Sequence, residues 1–153
     1  FCFMSFTKLN FPPINIKTKI VEGKIQVFDQ IRKKYLVLTS EEWVRQHVIS
    51  YLNLKKDYPL GLMRVEQMIT YNSMKTRADL VIYSINGSPE MIVECKSPKV
   101  KITQDTFYQI AKYNFKLRVS LLVVTNGLNH FCCSMDYERN EICFLNEIPC
   151  FKK

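Results

Sequence analysis

The dipeptide Asn86-Gly87 constrains the fold of this chain more than any other feature of its sequence. It separates two apolar stretches, residues 78–83 and 91–96, and Asn-Gly in such a setting is the strongest short-range signal for a hairpin with a two-residue type I′ turn. That turn would fix the strand register and place Asp79 directly opposite Glu94. Because side chains alternate between the two faces of a strand, both carboxylates would then lie on one face of the sheet.

Two directly opposed carboxylates repel each other and destabilise a strand pair unless a positive charge lies between them. Mg²⁺ is suited to this position, since it binds one or two carboxylates together with waters and phosphate oxygens. Lys96 follows Glu94 by two residues on the same face, where it could orient or help to deprotonate an attacking water. The alternative is a solvated face on which Asp79, Glu94, Arg77 and Lys96 form exposed ion pairs worth under about 1 kcal/mol each.

Capping residues and hydrophobic periodicity locate the other elements. A helix is predicted to start at Ser40, a capping hydroxyl followed by acidic residues, and to end at residues 57–61. Thr103 is predicted to cap a second helix running to about Lys116. The predicted strands, after a hairpin over residues 14–28, are residues 33–39, 63–70, 78–85, 90–96 and 119–125. We therefore predict an α/β fold with a mixed central sheet flanked by helices, in helix–three strands–helix–strand order, and an N-terminal β-hairpin.

Length and composition limit the class of protein. The 153 residues, 47% of them hydrophobic, predict a single domain over residues 1–153, with residues 1–29 as an arm and hairpin and residues 30–150 as the core. The longest apolar run, residues 119–125, falls short of the roughly 20 residues that a membrane span needs. Four glycines leave no Gly-rich phosphate loop.

Charge and cysteine content indicate partners and compartment. The formal net charge of +8 favours a polyanionic partner, nucleic acid first, although a basic domain that binds nothing has the same charge. The six cysteines include no CxxC pair, so a structural zinc site is not expected. No secretory signal is recognisable, and we expect reduced thiols and a cytoplasmic location.

The motif residues also resemble a known superfamily. Asp79, fourteen intervening residues and then Glu94-Cys95-Lys96, with an acidic helix before and a helix carrying Gln109 after, resemble the PD-(D/E)xK nucleases. The stretches EEWVRQHVISYL, RADLVIY, IVECKSP, ITQDTFYQIAKYN and LLVVTNG are similar to stand-alone relatives of the N-terminal nuclease domain of type I restriction enzyme R subunits. The resemblance covers about residues 30–150 and implies a restriction-endonuclease-like fold. Ala78 departs from the proline usual in this motif.

The resemblance implies specific roles at the hairpin. Asp79, Glu94 and the backbone carbonyl of Cys95 would bind a catalytic Mg²⁺ or Mn²⁺. Lys96 would act on the attacking water or on the scissile phosphate. The implied function is metal-dependent endonucleolytic hydrolysis of DNA, with a restriction-complex protein or a second copy of the chain as possible partner and no membrane. A DNA-binding module without turnover is the alternative.

The two helices supply further candidates. Glu41 lies three and seven residues before Val44 and Val48, so we expect it on the inward face as an outer metal ligand. Glu42 is the second choice, and simple complementation of the helix dipole is the alternative for both. Gln109 matches the glutamine of the family on the second helix, where it would approach the site or the DNA backbone. A surface glutamine without function is the alternative.

Overall fold

A computed structural model gives the structure of residues 6–153, which form two sheets and two α-helices. The N-terminal sheet has three antiparallel strands in the order β1-β2-β3. Its strands are β1 (Thr18–Val21), β2 (Lys24–Asp29) and β3 (Lys34–Val37). The predicted N-terminal hairpin and the strand predicted at residues 33–39 are therefore parts of one small sheet.

The central sheet has six strands in the order β4-β5-β6-β7-β8-β9. They are β4 (Met63–Tyr71), β5 (Met74–Tyr83), β6 (Pro89–Cys95), β7 (Leu121–Thr125), β8 (His130–Asp136) and β9 (Glu141–Leu145). The β6–β7 pair is parallel and the other pairs are antiparallel, which makes the sheet mixed, as predicted. The strands β8 and β9 were not predicted, because their cysteine-containing sequences have almost no β-branched residues, although Asn126-Gly127 before β8 is a turn signal.

Two helices complete the predicted order of elements. The first, α1 (Ser40–Lys56), begins one residue after its cap, since Thr39 rather than Ser40 accepts the Glu42 N–H, at 3.1 Å. A short 3₁₀ turn, Leu60–Leu62, links α1 to β4. The second helix, α2 (Gln104–Phe115), starts at the predicted cap Thr103.

The helices cover opposite faces of the central sheet, so both faces are buried. On one face Leu80 and Val93 pack in the same core cluster as Val44 and Val48 of α1. On the other face Val81 and Ile92 lie in a second cluster that includes Phe107 of α2. Burial on both faces explains why residues 80–83 of β5 and 91–93 of β6 are continuously apolar rather than alternating.

The hairpin between β5 and β6 has the predicted register at the acidic pair but a different turn. Ile82 pairs with Met91 and Leu80 with Val93, as a two-residue turn would give. The loop is longer, however, because Gly87 donates to the Ser84 carbonyl at 3.0 Å and takes the left-handed conformation (φ 88°), whereas Asn86 has no positive φ. This is a type I turn with a glycine bulge, and a second irregularity next to Ile82 restores the register.

The N-terminal arm lies against the domain, as expected, over its described residues. The Asn10 N–H donates to the Gly127 carbonyl at 2.8 Å, and the Trp43 indole donates to the Thr7 carbonyl at 2.8 Å. Leu9 is buried and touches the position of Gly127. The part of the arm predicted for residues 1–5 lies outside the described residues. In residues 6–153, neither helix has the length and apolar character needed to cross a bilayer.

Candidate functional site

The candidate site lies where β5 and β6 separate. Their backbone pairing ends at Leu80–Val93. Beyond that point a side chain replaces the backbone as hydrogen-bond acceptor, since Oδ2 of Asp79 accepts the Cys95 N–H at 2.8 Å. Asp79 is therefore turned toward β6, and Cys95 has no partner residue in the β5–β6 ladder. The carboxylate and the Cys95 backbone are adjacent, as the metal-ligand prediction requires.

Glu94 is half-buried beside this opening. Burial raises the pKa of its carboxyl, the positive charge of Lys96 opposes that rise, and the negative charge of Asp79 adds to it. The charges of Asp79 and Lys96 thus both act on the Glu94 carboxyl. The charged form of Glu94 is therefore disfavoured, because its carboxylate is partly removed from water and lies near a second negative charge.

The backbone of Lys96 is fixed by the parallel strand next to it. Its N–H donates to the Thr125 carbonyl at 2.8 Å, one residue after β6 ends. Lys96 is half-buried, and its positive charge acts on the Glu94 carboxyl. A lysine anchored in this way can hold an anionic group or a water beside the two carboxylates.

The first turn of α1 departs from the prediction. Glu41 is exposed, so its expected place on the buried face is wrong. Glu42 is the buried acid: Nη2 of Arg32 lies 2.6 Å from its Oε1, and Nε of Arg45 lies 3.4 Å from its Oε2. The prediction assumed that α1 buries one stripe, whereas the N-terminal sheet covers a second side, where Asp29 accepts from Gln46 at 3.1 Å.

Both acids nevertheless lie toward the site. The pKa of the Cys95 thiol is raised mainly by burial, and the negative charges of Asp79, Glu42 and Glu41 raise it further. The first turn of α1 therefore borders the end of β6. Glu41 offers an exposed carboxylate there, while the carboxylate of Glu42 is already neutralised by two guanidinium groups.

Glu66 is a site-bordering residue that the sequence did not indicate. It stands opposite Asp79 in the β4–β5 register, between the pairs Val65–Leu80 and Gln67–Ala78. Its φ of 52° is unusual for a strand residue other than glycine. Its carboxylate lies near three arginines: Arg77 at 3.0 Å, Arg32 at 3.8 Å and Arg45 at 3.9 Å.

The alternation of faces on β5 is interrupted at the same level. Ala78 and Leu80 are two residues apart, yet Ala78 packs in the core cluster on the α2 side and Leu80 in the cluster on the α1 side. The β4–β5 register is continuous here, so the interruption accompanies the positive φ of Glu66 and not an inserted residue.

On α2 the structure brings a different residue than the predicted one to the carboxylates. Gln109 is exposed, as is Tyr113 one turn later. Asn114 is buried, donates to the Ile110 carbonyl at 2.9 Å, and lies close enough to Glu94 for its amide to lower the pKa of that carboxyl. Asn114 is buried on α2 together with Phe107 and Ala111, and no sequence pattern indicates its contact with Glu94.

The two histidines, His47 and His130, have structural roles. Nδ1 of His47 is 2.8 Å from the Trp43 carbonyl, and burial lowers its pKa. His130 contacts the Thr125 hydroxyl at 2.6 Å through Nδ1 and the Asn10 carbonyl at 2.9 Å through Nε2. Neither lies with the carboxylates, and both ring nitrogens of His130 are engaged.

The residues present fit a hard divalent cation with two carboxylate ligands. Within residues 6–153, no group of three or more His, Cys, Asp or Glu side chains is arranged to hold a metal. Mg²⁺ does not require one, since it commonly keeps several waters and takes one or two carboxylates. Asp79 Oδ2 lies 2.8 Å from the backbone nitrogen of Cys95, next to Glu94, and a cation held there would relieve the repulsion between the two carboxylates.

The comparisons with known proteins agree with this architecture. The family described as "Type I restriction enzyme R protein N terminus (HSDR_N)" matches residues 40–149. A fragment of a proposed HsdR subunit of a type I restriction enzyme from Vibrio vulnificus YJ016 is similar in fold, with a TM-score of 0.50 and 20% identity over 74% of this chain. This chain spans about a quarter (24%) of that protein's length.

A second solved structure is more distant. It is a proposed nuclease of DUF820 from Anabaena variabilis ATCC 29413, with a TM-score of 0.46 and 15% identity, covering 85% of this chain and 76% of that one. No curated protein matches the chain.

Proposed function

We propose, from the premise that this chain belongs to the family of type I restriction enzyme R protein N-termini, that it is a Mg²⁺- or Mn²⁺-dependent endonuclease hydrolysing DNA phosphodiester bonds. One observation carries the proposal. Asp79, Glu94 and Lys96 interact at the open end of the β5–β6 hairpin. An acidic pair beside a fixed lysine is suited to phosphodiester chemistry and has no comparable use in a packed sheet.

In the proposed mechanism Asp79, Glu94 and the Cys95 carbonyl would hold the cation. When bound, the cation polarises the scissile phosphate and lowers the pKa of a coordinated water. Lys96 would orient the attacking water and stabilise the negative charge that grows on the phosphate oxygens. Asn114 would keep the Glu94 carboxyl charged and in place, and exposed Glu41 is the candidate outer ligand.

The test is nicking of supercoiled plasmid in Mg²⁺, Mn²⁺ or EDTA. The parent should nick in either cation and not in EDTA, and Asp79→Asn and Glu94→Gln should each abolish nicking. Glu90→Gln is a matched control, because Glu90 lies on the same strand as Glu94, four residues away at the far end, and removes the same charge. Nicking in EDTA, or by the Glu94→Gln variant, would refute the metal mechanism.

Lys96→Ala separates chemistry from binding. It should slow turnover by roughly 10²-fold or more, the usual scale for a positioned acid–base or electrostatic group. Its DNA affinity in EDTA should stay close to that of the parent, because one phosphate contact among several contributes little. A variant that loses binding and turnover equally would make Lys96 a binding residue.

The second candidate function is a DNA-binding module without turnover. The net charge of +8 favours it, since charge alone attracts DNA, and the Asp79–Cys95 hydrogen bond can serve a structural purpose. Absence of nicking in every cation, with DNA binding retained, would favour this function. In either case we propose DNA as the partner, within a restriction complex or a dimer of this chain.

A further inference from the structure

The positive charge of the chain is concentrated outside the part that matches the family. Residues 1–39 contain seven Lys or Arg residues and two Asp or Glu residues, so they hold five of the eight net positive charges. The family match begins at residue 40. The N-terminal sheet therefore adds a strongly basic unit to a weakly basic core.

Three of the seven basic residues lie on one face of the N-terminal sheet. The register of β1, β2 and β3 puts one set of alternating residues on the face opposite buried Val27 and Asp29. We call this set the outer face. It consists of Lys17, Lys19, Val21, Lys24, Gln26, Phe28, Tyr35 and Val37. The set contains three lysines and no acid, and the nearest carboxylate in sequence, Glu22, lies in the β1–β2 turn.

The three lysines of the outer face are exposed and have no counter-ion in the described structure. Within residues 6–153 no carboxylate oxygen lies within 4 Å of any of their ammonium groups. Two of them rest on aromatic rings instead, with Lys19 Nζ 4.1 Å from the centroid of Tyr35 and Lys17 Nζ 5.9 Å from that of Phe28. The rings orient the ammonium groups without neutralising them.

The N-terminal sheet is firmly attached to the border of the candidate site. In the β2–β3 turn, Arg32 bridges Asp29 at 2.8 Å and Glu42 of α1 at 2.6 Å. Asp29 also accepts from Gln46 of α1. Helix α1 in turn packs against β6, the strand that ends at Cys95. A polyanion held on the outer face would thus be held at a fixed position relative to Asp79 and Glu94.

We infer that the outer face of the N-terminal sheet binds the phosphate backbone of DNA. Exposed lysines supply point charges for phosphate oxygens. Lys17 directly precedes β1, where its carbonyl accepts the Phe28 N–H, and Lys19 lies on β1, so their Cα atoms are about 7 Å apart. This inference rests on the proposed function for the identity of the polyanion. It adds where that DNA is held, at a surface separate from the carboxylates.

The experiment compares two triple variants of the full chain with equal loss of charge. One is Lys17→Gln, Lys19→Gln, Lys24→Gln. The control is Lys55→Gln, Lys152→Gln, Lys153→Gln, whose exposed lysines lie at the other end of α1, where Phe151 N–H donates to the Lys56 carbonyl. Affinity for a fluorescent duplex is measured in EDTA over a range of salt concentrations, and thermal melting checks that each variant is folded.

We expect the outer-face variant to bind at least about 10-fold more weakly at 0.1 M salt. The slope of log affinity against log salt should fall by up to about 3, since each lost phosphate contact removes about 0.9. The control should keep the slope of the parent within about 1. Equal losses in both variants, an unchanged slope in the outer-face variant, or no binding of duplex by the parent would each overturn the inference.

The same samples distinguish this inference from the proposed function. A parent that nicks plasmid while the outer-face variant binds normally would leave the nuclease proposal intact and refute the outer-face site. A parent that never nicks, but whose duplex binding depends on the three lysines, would refute the nuclease proposal and support the outer-face site. Weakened binding of an acidic protein or of anionic vesicles, with duplex binding unchanged, would assign the surface to a different partner and refute the inference.

Discussion

Replacing Arg32 with leucine is expected to destabilise the protein strongly, because Arg32 is the shared counter-ion of two buried acids. Its guanidinium lies 2.8 Å from Asp29 and 2.6 Å from Glu42. The side chain of Asp29 is fully buried, that of Glu42 is 8% exposed and that of Arg32 is 20% exposed. The substitution leaves both carboxylates in place without their main partner.

The size of the stability loss depends on the contacts that Asp29 and Glu42 keep. Breaking a buried ion pair on one side costs about 3–5 kcal/mol. Asp29 keeps the N–H groups of residues 31 and 32, at 2.7 and 2.8 Å, and Glu42 keeps Arg45 at 3.4 Å. Because of these contacts and the partial exposure of Arg32, we expect a loss of about 2–3 kcal/mol. For a chain of this length that lowers Tm by about 5–10 °C.

The assay is thermal unfolding at pH 7 followed by circular dichroism, with Arg139→Leu as the control. Arg139 also pairs with an aspartate at i−3, but it is 77% exposed and 3.9 Å away, so its loss should move Tm by under about 2 °C. Adding Asp29→Asn to Arg32→Leu should raise Tm again, since Arg32 is the only cation within 4 Å of the buried Asp29 carboxylate in the described residues. A Tm for Arg32→Leu within 2 °C of the parent, or a further fall in the double variant, would refute the reasoning.

Three other predictions concern the hairpin and the response to pH. In EDTA at pH 7, Glu94→Gln should have a Tm equal to or above that of the parent. The pKa of Glu94 is raised, which means that its negative charge destabilises the folded state. A clear fall in Tm would contradict this. Gly87→Ala should lower the free energy of unfolding by about 1 kcal/mol because of the φ of 88° alone, since nothing lies within 4 Å of the added Cβ. The variant should still nick plasmid. Loss of nicking would show that the loop sets the register. The pKa of Asp29 is lowered in the folded state. Ionised Asp29 therefore stabilises the fold fully above about pH 3.9, and this stabilisation is lost as the pH falls through the pKa of the folded state. The acid unfolding curves of the parent and of Asp29→Asn should differ in that pH range.

The sequence predicted the hairpin register but not the turn that closes it. Asn86-Gly87 indicated a two-residue loop, whereas the glycine serves as the bulge residue of a longer one. The acidic pair is still in register because Leu80 and Val93 must both face α1, and a one-residue slip would turn them to the other face. Core packing, together with a second irregularity beside Ile82, therefore sets the register, although the dipeptide predicted the wrong loop length.

The misplacement of Glu41 has a tertiary cause. The spacing to Val44 and Val48 identified the stripe that packs on the central sheet, but no local pattern reveals that a second sheet covers the adjacent side of α1. Burial of Glu42 depends on Arg32, ten residues earlier, and the carboxylate of Glu66 is surrounded by three arginines from different elements. Such long-range ion pairs are not encoded in hydrophobic periodicity, so these contacts could not be predicted.

The single parallel pairing in the central sheet has a consequence for the order of folding. The β5–β6 hairpin is local and can close on a microsecond timescale, while the β6–β7 pair must wait for the crossover containing α2 to close. Asp79 and Glu94 thus come together before Lys96 is fixed to Thr125 and before Asn114 reaches Glu94. Their repulsion acts on the early hairpin, where no compensating group is yet in place. The chain would accordingly refold faster when either carboxylate is removed or when a divalent cation is present from the start.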